Sequence, residues 1–279
     1  MSKFFILPDD IHDNKVFITG DEAHHIIRVL RMKTGDELVL CNSRGIDYKG
    51  VIVSNSDEVF ENIMSKSSDP SIQIKILDSW NCKTEPPIEV TLFQGLPKGD
   101  KMEYIIQKCV ELGISRIVPV ATEFAIAKLS DKKNEAKKLL RWNKISSEAA
   151  KQCGRGCLPK ISEVLTLKNA VEQAKDYDLV FVPYEKAEAC IENGFRNLLM
   201  KFRENVKQNV FGKVLSENKS SKPKVGFFIG PEGGFSKKEM DEFISNAITP
   251  ISLGKRILRT ETASLTVLSI LMYEIGDIK

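Results

Sequence analysis

The chain has 279 residues, enough for one large domain or two smaller ones with sizeable cores. Hydrophobic residues make up 42% and charged residues 28%, ordinary globular usage that excludes a disordered chain, a collagen-like repeat and a disulfide-framework peptide. A net charge of +3 announces no polyanion by itself, but residues 1–75 carry nine basic and twelve acidic side chains, net −3, which leaves +6 to residues 76–279 and directs the search for an anionic partner there.

At the N-terminus Lys3 is followed by only Phe4, Phe5, Ile6 and Leu7 before Pro8-Asp9-Asp10, too little for the apolar region of a secretion signal. The most apolar late stretch, Ala263 to Tyr273, falls short of the ~20 residues of a membrane span. A cytoplasmic protein with no membrane partner is therefore expected. Among the six cysteines only Cys153 and Cys157 are close, and His12, His24 and His25 lie far from them, so reduced thiols and no metal site are expected.

Residues 1–82 read mostly as strands. Leu38-Val39-Leu40 and Val51-Ile52-Val53 are separated by the turn-forming Asn42-Ser43-Arg44-Gly45, and Ile72, Ile74 and Ile76 alternate with Gln73 and Lys75. One short helix is expected, N-capped by Asp21, with Ala23, Ile26, Ile27 and Leu30 on its apolar side. His24, Arg28 and Arg31 fall on its polar side, where they are candidates for RNA contact. The expected outcome is a small β-barrel with one helix.

Lys83-Thr84-Glu85-Pro86-Pro87 reads as a linker, because adjacent prolines continue neither a helix nor a central strand. From there to residue 279, apolar strands (Glu89 to Phe93, Arg116 to Val120, Leu179 to Val182, Val225 to Ile229, Ile251 to Leu253) alternate with helical stretches, which predicts an α/β domain with a parallel sheet. Gly212 to Lys224 reads as an exposed loop within it. The first helix of this domain should start at Asp100, which stands at capping-box spacing from Glu103. Met102, Ile105, Ile106 and Cys109 form its buried stripe, and Gly113 ends it. Lys98 and Lys101 sit at its start. A second helix, from about Asp131 to Cys153, carries Lys137, Arg141, Lys144, Glu148 and Gln152 on one face, with Arg155 just past its end. Such a stripe suits phosphate contacts.

Two loops carry the chemistry. Ile229-Gly230-Pro231-Glu232-Gly233-Gly234-Phe235-Ser236 joins a strand to a helix that Ser236 and Glu239 should cap. Ligands of α/β sheets bind beyond strand C-termini, and this loop lies at one. It contains neither a dinucleotide fingerprint nor a phosphate-binding P-loop, which counts against NAD and ATP enzymes. In Ser252 to Ala263, Arg256 and Arg259 supply cationic donors beside a helix N-terminus, and Ile257 and Leu258 offer walls for a flat ring. An anionic or nucleotide-like ligand fits such a loop.

Six motifs together resemble the ribosomal RNA small subunit methyltransferase E family of the SPOUT superfamily. They are Asp21-Glu22-Ala23-His24-His25 with Val29-Leu30-Arg31; Pro97 to Lys101; Glu111-Leu112-Gly113; Glu148-Ala149 with Gln152 and Arg155; Gly230 to Ser236; and Leu253-Gly254 with Arg256 to Arg259 and Glu261-Thr262-Ala263. The last two, in that order, are highly specific. The resemblance implies a PUA-like, RNA-binding β-barrel over residues 1–82 and a SPOUT α/β domain with a deep trefoil knot over residues 83–279. It further implies a homodimer, S-adenosylmethionine as cofactor, and methylation of N3 of one uridine in 16S ribosomal RNA or the small ribosomal subunit.

The residues it implies for the cofactor are Ile229, Gly230, Pro231, Glu232, Gly233, Leu253, Gly254, Arg256, Ile257, Leu258, Thr262 and Ala263. For RNA they are Lys3, His24, Arg28, Arg31, Lys98, Lys101, Arg141, Gln152 and Arg155, although the family often has an arginine where this chain has Lys3. Arg259 is expected to stabilise charge on the uracil carbonyls, and Glu261 to act as a base or to orient Arg259. Two other classes compete with this reading: a non-catalytic RNA-binding or ribosome-assembly protein, and a methyltransferase for another RNA base.

Overall fold

The alternation of apolar residues in the first part of the chain builds β1 (Lys3–Phe5), β2 (Ile11–His12), β3 (Lys15–Thr19), β4 (Glu37–Cys41), β5 (Ile46–Asn55) and β6 (Ser71–Asn81). The structure is a computed structural model that describes residues 3–55, 71–125, 132–185, 194–213, 222–275 and 277–278. The six strands pair in the order β1-β4-β5-β6-β3-β2, parallel between β1 and β4 and antiparallel elsewhere. Register places Val16 opposite Ile74 and Ile18 opposite Ile72, so inward positions meet across the ladder. Phe4, Leu38, Leu40, Ile52, Ile72 and Ile74 are buried there, together with Ala23 and Ile26 of the helix.

That helix, α1 (Gly20–His24), starts two residues earlier than expected, with Thr19 at the N-cap position and Asp21 inside the first turn. It continues as a π-helical turn over His25–Val29, in which Leu30 N–H donates to the His25 carbonyl at 2.9 Å. The wider turn shifts the 3.6-residue period. Leu30 consequently leaves the apolar stripe and is 37% exposed, while Ile26 and Ile27 stay buried.

The chain forms two compact units, residues 1–85 with 150–158, and residues 86–149 with 159–279. Reading along the chain assigned 150–158 to the second domain. Within the second unit run β7 (Glu89–Gly95), α2 (Lys101–Glu111), β8 (Arg116–Ala121), β9 (Lys160–Ile161), β10 (Leu165–Thr166), α4 (Leu167–Ala174), β11 (Leu179–Pro183), α5 (Phe195–Lys213), β12 (Lys224–Ile229), α6 (Lys237–Ser245), β13 (Thr249–Ile251) and α7 (Thr260–Ile275). The helix between β8 and β9, α3 (Lys132–Gln152), begins in this unit.

The parallel sheet has the order β10-β8-β7-β12-β11-β13, with β9 also on β8. Its core is aromatic: Phe93 stacks on Phe228 with centroids 4.4 Å apart, and Phe243 of α6 lies 4.8 Å from Phe228. Burying each such ring contributes roughly 1.5–3 kcal/mol, which makes β7 and β12 a rigid base for the loops at their C-terminal ends.

Three details depart from the sequence reading. The last strand is Thr249–Ile251, not 251–253, because its partner runs out: Tyr184 N–H to the Ile251 carbonyl, at 2.9 Å, is the final rung, and Ser252 and Leu253 pass into the loop. The capping box at Asp100 does not form. Its backbone (φ −89°, ψ 7°) lacks the extended N-cap geometry and its side chain makes no cap bond. The expected loop from Gly212 to Lys224 overlaps the end of α5 and the start of β12, and residues 214–221 lie outside the described residues.

Candidate functional site at three strand ends

The strands β12, β11 and β13 are neighbours, and all three C-termini open onto one cavity of about 590 Å³. Its walls come from the glycine loop after β12, from Pro183 at the end of β11 with Tyr184 and Glu185 beyond it, and from the arginine loop after β13 with the first turn of α7. Ile229, Gly230, Pro231, Glu232, Gly233, Leu253, Gly254, Arg256, Ile257, Leu258 and Ala263 all line it, as do Arg259 and Lys101. The sequence separates these two loops by a whole helix and strand. The sheet brings them together.

The glycine loop is tightly folded on itself. A Cβ at Gly230 would lie 3.0 Å from the backbone of Gly234, a contact that would force the loop to shift, so main chain approaches main chain at this wall. The loop ends in the expected capping box: Glu239 N–H donates to Ser236 Oγ (3.3 Å) and Ser236 N–H to Glu239 Oε2 (2.8 Å). Glu239 Oε1 also accepts the Glu123 N–H at 2.8 Å, which seats Phe124 on the cavity wall. Phe124 and Tyr184 were missed in the sequence. Both follow strand C-termini, so the rule that located the glycine loop would have found them.

The rim is charged. Lys101 Nζ donates to Glu232 Oε1 at 2.8 Å and stands 3.7 Å from Glu261 Oε2, while the Lys98 backbone N–H also reaches Glu232. The hydrogen bond to Glu232 raises the Lys101 ammonium above its ordinary value, against some desolvation. Partial burial pushes the Glu232 carboxyl up, but Lys101 and the backbone N–H groups of Glu232 and Lys98 outweigh it and hold it below the usual carboxylate range. Arg256 and Arg259 are exposed, and Ile257 is 82% exposed, open to a ligand or a partner surface.

Thr262 and Glu261 do not line this cavity. They face a second one of about 500 Å³ with Tyr104, Leu265, Thr266, Ser269 and Ile270, because successive residues of α7 point in different directions. There Glu261 Oε2 is shielded from solvent and accepts no hydrogen bond.

Two of the residues expected to contact RNA are held inside the first unit, Lys3 half-buried and Arg155 buried. Lys3 Nζ donates to Asp47 Oδ2 (2.9 Å), the Gly154 carbonyl (3.0 Å) and Cys82 Sγ (3.5 Å), which engages its three donors. Arg155 is 3% exposed and grips Glu85 bidentately, Nε to Oε1 and Nη2 to Oε2, both at 2.8 Å. Glu85 also accepts the N–H groups of Gly156 (2.7 Å) and Cys157 (3.1 Å). Burial alone would raise the Glu85 carboxyl, yet Arg155 and these two N–H groups lower it. The stretch read as a linker is thus pinned, with Thr84 Oγ1 donating to the Gly154 carbonyl at 2.7 Å.

The other RNA candidates are at the surface. His24, Arg28, Arg31, Lys98 and Gln152 are exposed, and Arg141 is exposed while pairing with Glu103 at 2.7 Å. Among the described residues no group of three His, Cys, Asp or Glu side chains is placed to hold a metal ion, and no helix is long and apolar enough to cross a membrane. Burial pushes the Cys41 thiol up to about 12, so it stays protonated.

This arrangement has close counterparts. The RNA methyltransferase domain family matches residues 84–272, and the RNA methyltransferase PUA domain family matches residues 18–60. Ribosomal RNA small subunit methyltransferase E of Bacillus subtilis (strain 168) is 34% identical over 280 residues, covering 98% of this chain and 97% of its own. The protein of the same name from Aquifex aeolicus (strain VF5) is 30% identical over 265 residues, covering 93% of this chain and 94% of its own. Among solved structures, a Legionella pneumophila methyltransferase in complex with bound cofactor SAM has a TM-score of 0.73 at 27% identity, over 97% of this chain and 96% of that one. The fold also matches a ribosomal RNA small subunit methyltransferase E of Neisseria gonorrhoeae with a TM-score of 0.71 at 22% identity, over 98% of this chain and 97% of that one.

Proposed function

The chain belongs to the ribosomal RNA small subunit methyltransferase E family, and from that membership we propose that it methylates N3 of one uridine in 16S, small-subunit, ribosomal RNA, with S-adenosylmethionine as cofactor. The observation that carries this reading is the cavity where β12, β11 and β13 end, walled by the glycine loop and the arginine loop. At about 590 Å³ it falls in the range of small-molecule sites. Its residues fit the cofactor: Gly230 leaves main chain at the wall, Glu232 places a carboxylate in reach of a cation, and Ile257 and Leu258 offer apolar faces for a flat base.

S-adenosylmethionine supplies, when bound, a methyl carbon on a positively charged sulfur. The residues from Ile229 to Gly233 and from Leu253 to Leu258, with Ala263, hold it, and Thr262 stands behind that wall. Uracil N3 carries a weakly acidic proton, so the protein must orient the base and favour its anion. Arg259 favours the anion, since a guanidinium on the rim can hold the planar carbonyl acceptors bidentately. Glu261, whose Oε2 accepts no hydrogen bond, takes the N3 proton or orients Arg259. A Glu261→Gln enzyme should then lose the acidic limb of its pH–rate profile, and an unchanged profile would remove Glu261 from the mechanism.

The larger features follow from the same membership. Residues 1–82 serve as a PUA-like, RNA-binding barrel, with His24, Arg28 and Arg31 toward the RNA. Lys98, Lys101, Arg141 and Gln152 are the RNA-contacting candidates of the later segments. The chain from β12 to α7 passes through a deep trefoil knot. Two copies pair as a homodimer, a reading supported by the exposure of Tyr104 (49%), Ile270 (37%) and Tyr273 (64%) on α2 and α7.

The test is nucleoside mass spectrometry of small-subunit ribosomal RNA from cells lacking the protein, before and after adding purified protein and S-adenosylmethionine. Loss and restoration of a single 3-methyluridine is expected. Uridine left unmodified in both samples, with the protein still bound to RNA, would refute the assignment.

A further inference from the structure

Behind the cavity, and meeting its wall at Thr260 and Gly230, lies a polar cluster in the core. Gln94 and Ser264 are fully buried and Thr260 is 5% exposed. Gln94 Nε2 donates to Thr260 Oγ1 (2.9 Å) and to the Gly95 carbonyl (2.9 Å), and Thr260 Oγ1 donates onward to the Gly230 carbonyl (2.7 Å). Ser264 Oγ sits 2.7 Å from Gln94 Oε1 and 2.9 Å from the Thr260 carbonyl.

This cluster joins the end of the central strand β7, the start of the glycine loop and the first turns of α7. A single hydroxyl, Thr260 Oγ1, spans the gap between the two loops that wall the cavity. The backbone beside it is equally constrained: a Cβ on Gly95 would lie 2.6 Å from Pro231 Cδ, so β7 also packs directly under the glycine loop. A buried amide in an apolar core must satisfy both its donors and its acceptor, and Gln94 does so only with the first turns of α7 in place, from which Thr260 Oγ1 carries the chain of bonds on to the glycine loop. Neither packing nor strand pairing requires a glutamine here, since Leu92 and Leu96 on the same stretch are buried and apolar.

We propose that Gln94, acting through Thr260, is a positioning residue for the cofactor: the Ser264–Gln94–Thr260–Gly230 chain sets the spacing of the glycine loop against the N-terminus of α7. The inference rests on the proposed function, and assigns that site two residues outside its lining, Gln94 and Ser264, which act through the wall residue Thr260. Thr260→Val is nearly isosteric and leaves the Gly230 carbonyl and the Gln94 amide without their partner. Gln94→Met keeps the volume and removes the relay.

The experiment measures the S-adenosylmethionine Kd by calorimetry, KM and kcat for methyl transfer to 16S ribosomal RNA, and the melting temperature, on the full-length protein. Thr260→Val and Gln94→Met are each expected to raise Kd and KM for S-adenosylmethionine by about tenfold or more, the order of effect that a misplacement near 1 Å produces. Thr260→Ser, which keeps the hydroxyl, should stay within about threefold of wild type, and the double variant should bind no more weakly than the poorer single, because the groups act as one unit. Variants that melt earlier but retain wild-type Kd and KM would overturn the inference and leave the proposed function standing. Additive losses in the double variant would overturn it too. A wild-type protein that fails to bind S-adenosylmethionine overturns the proposed function, and this inference with it. Should Gln94→Met not fold, Ser264→Ala, which removes the partner of Gln94 Oε1 from outside the cavity wall, decides: a wild-type Kd there would overturn the inference.

Discussion

Arg155 and Arg259 look alike in the sequence, each a basic residue just outside a helix and each a candidate for an anionic ligand. In the structure Arg155 is buried and closed by Glu85, while Arg259 stands exposed on the rim of a cavity. The difference lies in the carboxylate that reaches each guanidinium, not in the local sequence. Glu85 comes from 70 residues earlier and occupies bidentately the Nε–Nη2 edge that a phosphate would use. Lys3 repeats the lesson with Asp47, 44 residues away. A cation is available to a ligand only where the fold leaves it without such a partner.

The strongest way to break the contrast is to remove the carboxylate. Glu85→Ala removes the bidentate carboxylate from the buried Arg155, and should destabilise the first unit by about 3–5 kcal/mol, read as a shift in the urea unfolding curve of the full-length protein. A loss below ~1 kcal/mol would mean that the pair contributes no more than a surface one.

A finer probe is pH. The folded-state pKa of Glu85 is lowered, so its contribution is fully present above its unfolded value of about 4.3 and is lost as pH falls through the lower folded value. Wild type should therefore lose stability on the acid side more steeply than Glu85→Gln. Parallel acid limbs in the two proteins would show that the carboxylate is not ionised in the fold.

The smallest effect is expected on the rim. Lys101 pairs with Glu232 in a solvent-accessible setting, and Lys101→Met should change KM for the cofactor by less than about threefold, with a difference that fades as salt is added. A larger, salt-independent loss would place Lys101 in direct contact with a reacting group.

The sequence was legible where the information is local. Ser236 and Glu239, three residues apart, form their capping box as read, whereas Asp100 and Glu103 have the same spacing and do not, because Asp100 has the wrong backbone angles for an N-cap. Alternation located the strands, and the strand–helix sequence located both loops of the cavity. What it could not locate depends on contacts distant in the chain. Gln94 meets Thr260 across 166 residues, and Leu30 moved to the surface because one π-helical turn shifted its phase. The basic candidates divided the same way: Arg141 stayed exposed, while Lys3 and Arg155 met carboxylates that no spacing rule anticipates.

The most direct measurement makes the same change to both arginines, Arg155→Met and Arg259→Met, and records the unfolding midpoint and the rate of 3-methyluridine formation on 16S ribosomal RNA for each. The expected result is a crossed pattern: Arg155→Met loses about 3–5 kcal/mol of stability and keeps its turnover below its melting range, while Arg259→Met keeps its midpoint and loses about 10²–10³ in kcat. If Arg259→Met turned over like wild type, or if Arg155→Met lost RNA methylation while unfolding at the wild-type midpoint, the division between a buried structural cation and a ligand-facing one would be wrong.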